Sequence, residues 1–204
     1  MSRLTLSPPA LASNIALARQ WAPPGARLRA MVKANAYGHG LEELMDVFVE
    51  HADELGVATL EEGLLIRSCA GRNVPVYLAS GAKDWGNRDF LEAVQEADLV
   101  PAISSVDELR LLLDRLRSSD CFRIELKLDT GMGRLGIPER EIDELKSVLR
   151  TASAIRVVGI MTHFATSDEE DLGFTRRQVA VFRRMLAELG EELRSAQDAD
   201  RDSA

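Results

Sequence analysis

Cysteine is scarce: the chain has 204 residues and only two cysteines, Cys69 and Cys121. Two thiols make neither a disulfide framework nor a zinc cluster, so reduced, buried side chains in a cytoplasmic protein are expected. No apolar run approaches the length of a membrane span. The N-terminal residues do not read as a secretory leader, because the apolar patch Leu11–Ala18 is interrupted by Asn14 and followed by Arg19 and Gln20. Positive charge is in deficit, with 25 basic against 33 acidic residues and a net charge of −8. That balance argues against nucleic acid, whose phosphates need clustered Lys and Arg, and against a basic membrane-surface helix. A hydrophobic share of 46% is enough for a core and excludes disorder, collagen and coiled coil as whole-chain readings. The length suits one domain, or one and a fraction.

What is present is alternation. Short β-branched, apolar runs at Leu28–Lys33, Leu55–Thr59, Val74–Ser80, Leu99–Ile103, Phe122–Asp129 and Ile155–Phe164 read as strands. Most are apolar on both faces, as buried parallel strands are. Amphipathic stretches at about 8–20, 41–52, 60–70, 88–97, 105–117, 139–151 and 171–194 read as helices. Ser7 with Pro8 starts the first, and Thr59…Glu62, Ser105…Glu108 and Ser167…Glu170 have capping-box spacing. Repeating βα units predict a parallel α/β sheet. Polar and glycine-rich signals recur at many strand ends, which favours a TIM-type (β/α) barrel over an open sheet with a single switch point. About six of eight units are present, over residues 1–194, followed by a small, polar tail at 195–204 expected to be disordered.

Three segments could carry chemistry. In Val32-Lys33-Ala34-Asn35-Ala36-Tyr37-Gly38-His39-Gly40 a lysine closes an apolar strand, where desolvation disfavours the ammonium form, as a Schiff-base amine requires. The small residues after it leave room for a flat cofactor. On these residues alone a surface lysine before a glycine turn remains open. In Met161-Thr162-His163-Phe164-Ala165 a histidine ends the sixth strand, and a loop or core histidine is equally open there. His39 and His51 make weaker cases.

Lys127-Leu128-Asp129-Thr130-Gly131-Met132-Gly133-Arg134-Leu135-Gly136 holds a fixed cation, Arg134, for a carboxylate or phenolate, and Lys127 on the strand before it. Two other patterns overlap it. Asp129-Thr130-Gly131 has the form of an aspartic-protease motif, but that chemistry needs a second carboxylate on an all-β frame. Gly131, Gly133 and Gly136 spell a dinucleotide fingerprint, although Pro138 places the helix after the third glycine. A nicotinamide-binding enzyme built on Gly131–Gly136 is therefore kept as an alternative.

Val32–Gly40, Lys127–Gly136 and Met161–Ala165, together with Gly56–Gly63, closely resemble signature segments of the alanine racemase family, in the same order. The likeness runs from about residue 4 to about residue 194. It implies an N-terminal eight-stranded α/β barrel followed by a C-terminal β domain, pyridoxal 5′-phosphate as cofactor, alanine as substrate and a homodimer. It implies a cytoplasmic isomerase that supplies D-alanine for the cell wall. Lys33 would hold the cofactor and exchange the α-proton on one face. Tyr37 would reach the cofactor phosphate, Arg134 the phenolate oxygen and the substrate carboxylate, and His163 the pyridine ring. Lys127 sits where some members carry a carbamylated lysine that orients this arginine.

The resemblance also implies a second acid/base group, a tyrosine of the C-terminal domain lent by the partner subunit. This sequence has two tyrosines, Tyr37 and Tyr77, and neither occupies that position. The last two barrel strands and the β domain are absent from it. A C-terminally truncated racemase with impaired turnover is therefore expected. A non-catalytic remnant or partner protein stands as the other alternative.

Overall fold

The alternation read from the sequence is the alternation of the fold, described here from a computed structural model. The structure describes residues 5–79, 84–117 and 120–198, with side chains described as far as Gly190. The chain forms two compact units, Met1–Ser80 with Glu92–Val100, and Gly81–Leu91 with Pro101–Ala204.

The first unit opens with α1 (Pro8–Trp21), entered through Ser7 and with proline in its first turn, where a missing N–H costs nothing. The Ser7 hydroxyl makes no cap hydrogen bond. Strand β1 (Arg29–Met31) leads into a short turn, α2 (Lys33–Tyr37), then α3 (Met45–His51), β2 (Glu54–Val57), α4 (Leu60–Ala70) and β3 (Val76–Leu78). β1 pairs with β2 and β2 with β3, all parallel, in register Arg29↔Glu54 and Leu55↔Val76. Leu55, Val57, Val76 and Leu78 share one buried face, and Tyr77 is buried on the other. Burying each such side chain contributes about 1.5–3 kcal/mol.

α5 (Arg88–Glu96) divides between the units. β4 (Leu99–Ile103) matches the sequence reading residue for residue, as does β5 (Phe122–Asp129). Between them lies α6 (Val106–Leu113), and after them β6 (Ile137–Pro138), a 3-10 turn at Glu139–Glu141, α7 (Ile142–Leu149), β7 (Ile155–Met161) and α8 (Gly173–Asp198). In the second unit the Ala102–Ile103 end of β4, β6 and β7 all pair in parallel with β5, and β6 meets only its last residues, Leu128↔Ile137 and Asp129↔Pro138. Leu109, Leu112, Ile124, Leu126, Ile137, Leu145, Met185 and Leu189 are buried. Ile124, Leu126 and Leu128 share one face of β5, and the buried Glu125 and Lys127 share the other.

Several expectations are corrected. Cys69 and Cys121 are free but exposed, not buried. Cys69 lies past the buried Gly63 and Ile66 of α4, and Cys121 stands before Phe122, the first buried residue of β5. The Ser167…Glu170 spacing starts no helix. α8 begins at Gly173, whose N–H donates to the Asp171 carboxylate at 2.7 Å. β6 and the 3-10 turn occupy what the sequence suggested as loop and first helical turn. α8 continues to Asp198, and the rest of the tail, residues 199–204, lies outside the described residues, as does Ser80. Among the described residues no helix is long and apolar enough to cross a membrane.

Asp53 joins the end of α1 to the start of β1. Its Oδ2 accepts from the Leu28 N–H at 2.6 Å and from Arg19 at 2.8 Å. The Leu28 N–H first, and the Arg19 guanidinium second, hold its carboxyl below the ordinary 3.8. A depressed folded-state pKa stabilises above the unfolded value and is lost as pH falls through the folded one. The stability gap between the parent chain and Asp53→Asn should therefore be constant above about pH 5. It should shrink as pH falls below 3.8, which urea titrations across that range would read.

Candidate functional site

Lys33 follows Val32, which is fully buried at the end of β1. The backbone then turns left-handed: Ala34, Asn35, Ala36 and Tyr37 have φ of 52°, 55°, 52° and 55°. Residues with a Cβ lose roughly 1–2 kcal/mol each in that region, so the turn must be held by its surroundings. The hold is visible. The Ala36 N–H donates to the Val32 carbonyl at 2.9 Å, and the Gly38 N–H to those of Ala34 and Asn35 at 2.9 and 3.0 Å. Asn35 Oδ1 accepts from the Leu41 N–H at 2.7 Å. Gly38, at φ 83°, ends the turn where a side chain would add further strain.

Glu62 supplies the longest tie. Its Oε1 accepts from the Ala34 N–H at 2.7 Å, and its Oε2 accepts from the N–H groups of Ala58 at 2.7 Å and Thr59 at 3.3 Å. The Thr59 hydroxyl accepts from the Glu62 N–H, which completes the expected capping box of α4. Sequence spacing marked Glu62 as a helix cap and missed its reach to the residue after Lys33.

The turn places the Lys33 amine 5.8 Å from the centre of the Tyr37 ring. Lys33 is half-buried and Tyr37 is 59% exposed. Among the described residues no carboxylate lies within ion-pair distance of this amine. His39 Nδ1 lies 2.8 Å from the Ala36 carbonyl and is occupied with its own turn. His51 is the last residue of α3, its Nε2 3.8 Å from the Glu50 carboxylate.

The second unit holds Lys127, Arg134 and His163. Lys127 is buried on β5. After the strand, Asp129 folds back on its own loop, with Oδ1 accepting from the Gly131 N–H at 2.9 Å and Oδ2 from the Gly133 N–H at 3.0 Å. Those are the groups that a bound pyrophosphate would need. The third glycine leads into β6 rather than a helix. The dinucleotide alternative therefore has neither a free cradle nor a helix N-terminus here, and the protease alternative has no all-β frame. Arg134 is exposed at the crest of this loop and His163 is exposed after β7.

Sequence reasoning also missed Gln178 of α8, which is fully buried. Its Nε2 donates to Thr130 Oγ1 at 3.2 Å and to the His163 carbonyl at 3.0 Å, and its Oε1 accepts from the Ala165 N–H at 2.9 Å. Thr130 and Thr162 hydroxyls meet at 2.8 Å, and Thr162 donates to the Leu128 carbonyl at 2.9 Å. A hydroxyl has one proton, so Thr130 donates to Thr162 and accepts from Gln178. One directional chain thus ties the loops that follow β5 and β7 to α8. The only sequence signal for it was a polar residue within an amphipathic helix.

Lys33 and Tyr37 belong to the first unit, and Lys127, Arg134 and His163 to the second. Comparison with known proteins gives these positions a context. The alanine racemase N-terminal domain family model matches residues 6–198. An alanine racemase of Pectobacterium atrosepticum is 38% identical over 174 residues, which are 85% of this chain and 46% of that protein. The crystal structure of an alanine racemase from E. faecalis superposes with a TM-score of 0.80 at 31% identity, over 90% of this chain and 49% of that one. The structure of an alanine racemase from Bacillus anthracis with bound L-Ala-P gives 0.81 at 26% identity, over 94% and 50%. The α/β barrel class expected from the sequence is the class of these neighbours' N-terminal domains. The chain spans about half the length of the relatives it matches. With the family model covering nearly all of it, the chain belongs to the alanine racemase N-terminal domain family.

Proposed function

We propose that Lys33 carries pyridoxal 5′-phosphate and that this chain supplies the cofactor-bearing part of an alanine racemase. The observation that carries the reading is the Lys33 amine itself. It directly follows the fully buried Val32, beside an aromatic ring and without a carboxylate partner among the described residues. An amine so placed fits an aldehyde, and the family resemblance assigns the other parts of the same molecule to Tyr37, Arg134 and His163. The Tyr37 hydroxyl suits a phosphate. The Arg134 guanidinium, on a loop stiffened by Asp129, suits a phenolate oxygen and a substrate carboxylate. The His163 imidazole offers a flat face to a ring. Lys127, buried beneath that loop, is the candidate for carbamylation.

When bound, the cofactor supplies a ring that stabilises negative charge on the amino-acid α-carbon. Lys33 Nζ then takes and returns the α-proton on one face. The opposite face needs a second group. Tyr77 is buried on β3 under the Arg29 guanidinium, 4.1 Å from its ring centre, and is not available for that role. Tyr37 stands on the Lys33 side. The family resemblance assigns that group to a tyrosine of the C-terminal domain, lent by the partner subunit of a homodimer, so these 204 residues alone are expected to turn alanine over poorly. The free cysteines suit a cytoplasmic enzyme, and the product D-alanine serves the cell wall.

The chain has four lysines, Lys33, Lys83, Lys127 and Lys146, which makes the test clean. Purified chain is mixed with pyridoxal phosphate, its absorbance is recorded, and borohydride reduction is followed by peptide mapping. A visible band and one adduct on Lys33, lost in Lys33→Ala, are expected. No adduct, or adducts spread over the other lysines, would overturn the reading. Alanine racemisation by this chain alone at the rate of a full-length relative would overturn the need for a second subunit's base.

A further inference from the structure

We infer that Glu62 is a positioning residue for Lys33, fixing the direction of its amine through the backbone. This rests on the reading of Lys33 as the cofactor lysine. A helix cap needs only the Thr59 and Glu62 exchange, which α4 already has. Glu62 does more. One carboxylate oxygen takes the N–H of Ala34, the first left-handed residue after Lys33, and the other takes the N–H of Ala58 at the end of β2. The carboxylate therefore bridges the ends of two adjacent parallel strands, 28 residues apart in sequence for the Ala34 bond. Ala34 at φ 52° has no polar side chain to hold itself there, and its N–H has Glu62 as its acceptor. Without Glu62 the turn can relax toward right-handed backbone, which rotates the Lys33 Cα–Cβ direction away from the Tyr37 ring.

Glutamine at this position keeps the shape but has one acceptor oxygen; Ala58 and Thr59 offer it two N–H groups against one from Ala34, so Ala34 is the end left facing the NH2 group. Thr59→Val is the control, because it removes the hydroxyl cap and leaves the carboxylate in place. The two variants and the parent are compared by two readouts. One is amide exchange of Ala34 in 15N-alanine-labelled chain, which does not depend on cofactor. The other is the rate of pyridoxal phosphate attachment at Lys33, trapped with borohydride.

In Glu62→Gln, the Ala34 N–H should exchange about tenfold faster, and Lys33 labelling should slow about tenfold. In Thr59→Val both should stay within about twofold of the parent, although its thermal midpoint falls as a lost cap requires. The inference is overturned if Glu62→Gln leaves Ala34 exchange unchanged, or if Thr59→Val slows labelling as much as Glu62→Gln does. A parent chain that takes no cofactor at Lys33 sinks the cofactor reading, and the Ala34 exchange then decides the Glu62 role by itself.

Discussion

Gly136→Ala should destabilise the second unit by about 4 kcal/mol, from positive-φ strain and overpacking together. Gly136 has φ 136°, and a Cβ there would stand 2.6 Å from the Asp129 nitrogen and 2.8 Å from the Leu128 carbonyl carbon. Both are backbone atoms of β5, so no side-chain rotation relieves the clash. The neighbouring Ile137 is fully buried and pairs with Leu128, so the chain cannot swing outward without exposing it. Gly133→Ala is the comparison, since its Cβ would meet nothing within 4 Å and only φ 70° opposes it. That variant should lose about 1 kcal/mol. Urea unfolding followed by circular dichroism would rank the two. Equal losses would mean that the loop between β5 and β6 moves freely, and that Arg134 at its crest is not held by it. A loss of about 4 kcal/mol is a large share of the roughly 5–15 kcal/mol that holds a typical domain, so Gly136→Ala should also express poorly.

The glycines of this loop show what the sequence could and could not disclose. Their spacing was readable, and it fitted two chemistries at once. Only the structure shows that the Asp129 carboxylate fills the Gly131 and Gly133 N–H groups and that Gly136 is required by a backbone contact. The strands and helices were legible because burial imposes a period. Leu60–Ala70, Leu99–Ile103 and Phe122–Asp129 were bounded correctly by apolar runs and by the Thr59 cap. The left-handed turn after Lys33 was not, because Ala34, Asn35 and Ala36 together carry no strong local preference for it. Its cause lies 28 residues away, in Glu62. Long-range side-chain-to-backbone bonds leave no periodic trace, which is why Lys33 was found by its neighbours and Glu62 only by its distances.

Gln178→Glu should make stability fall as pH rises, and Gln178→Leu should lower it at every pH. The amide is fully buried and uses both ends: two protons go to Thr130 and His163 oxygens, and its oxygen takes the Ala165 N–H. Leucine removes all three of these hydrogen bonds, and a loss of about 3 kcal/mol is expected. Glutamate keeps the Ala165 bond but turns an oxygen toward the His163 carbonyl, which has no proton to give. Thr130 can donate to that oxygen only by abandoning Thr162, whose own proton is committed to Leu128. The protonated acid can still donate once, to His163 or to Thr130, so the neutral form is the one this site accepts. Burial and the facing oxygens thus raise the introduced carboxyl above its unfolded value of about 4.3. A raised folded-state pKa contributes its full stability below the unfolded value and loses it as pH rises toward the folded one. The variant should therefore approach the parent near pH 4 and fall away from it by pH 7. The loss is about 1.4 kcal/mol for every tenfold by which the site weakens the acid. If Gln178→Glu follows the parent at constant distance across that range, the amide is not the donor to His163, and the loop after β7 is held by something other than α8.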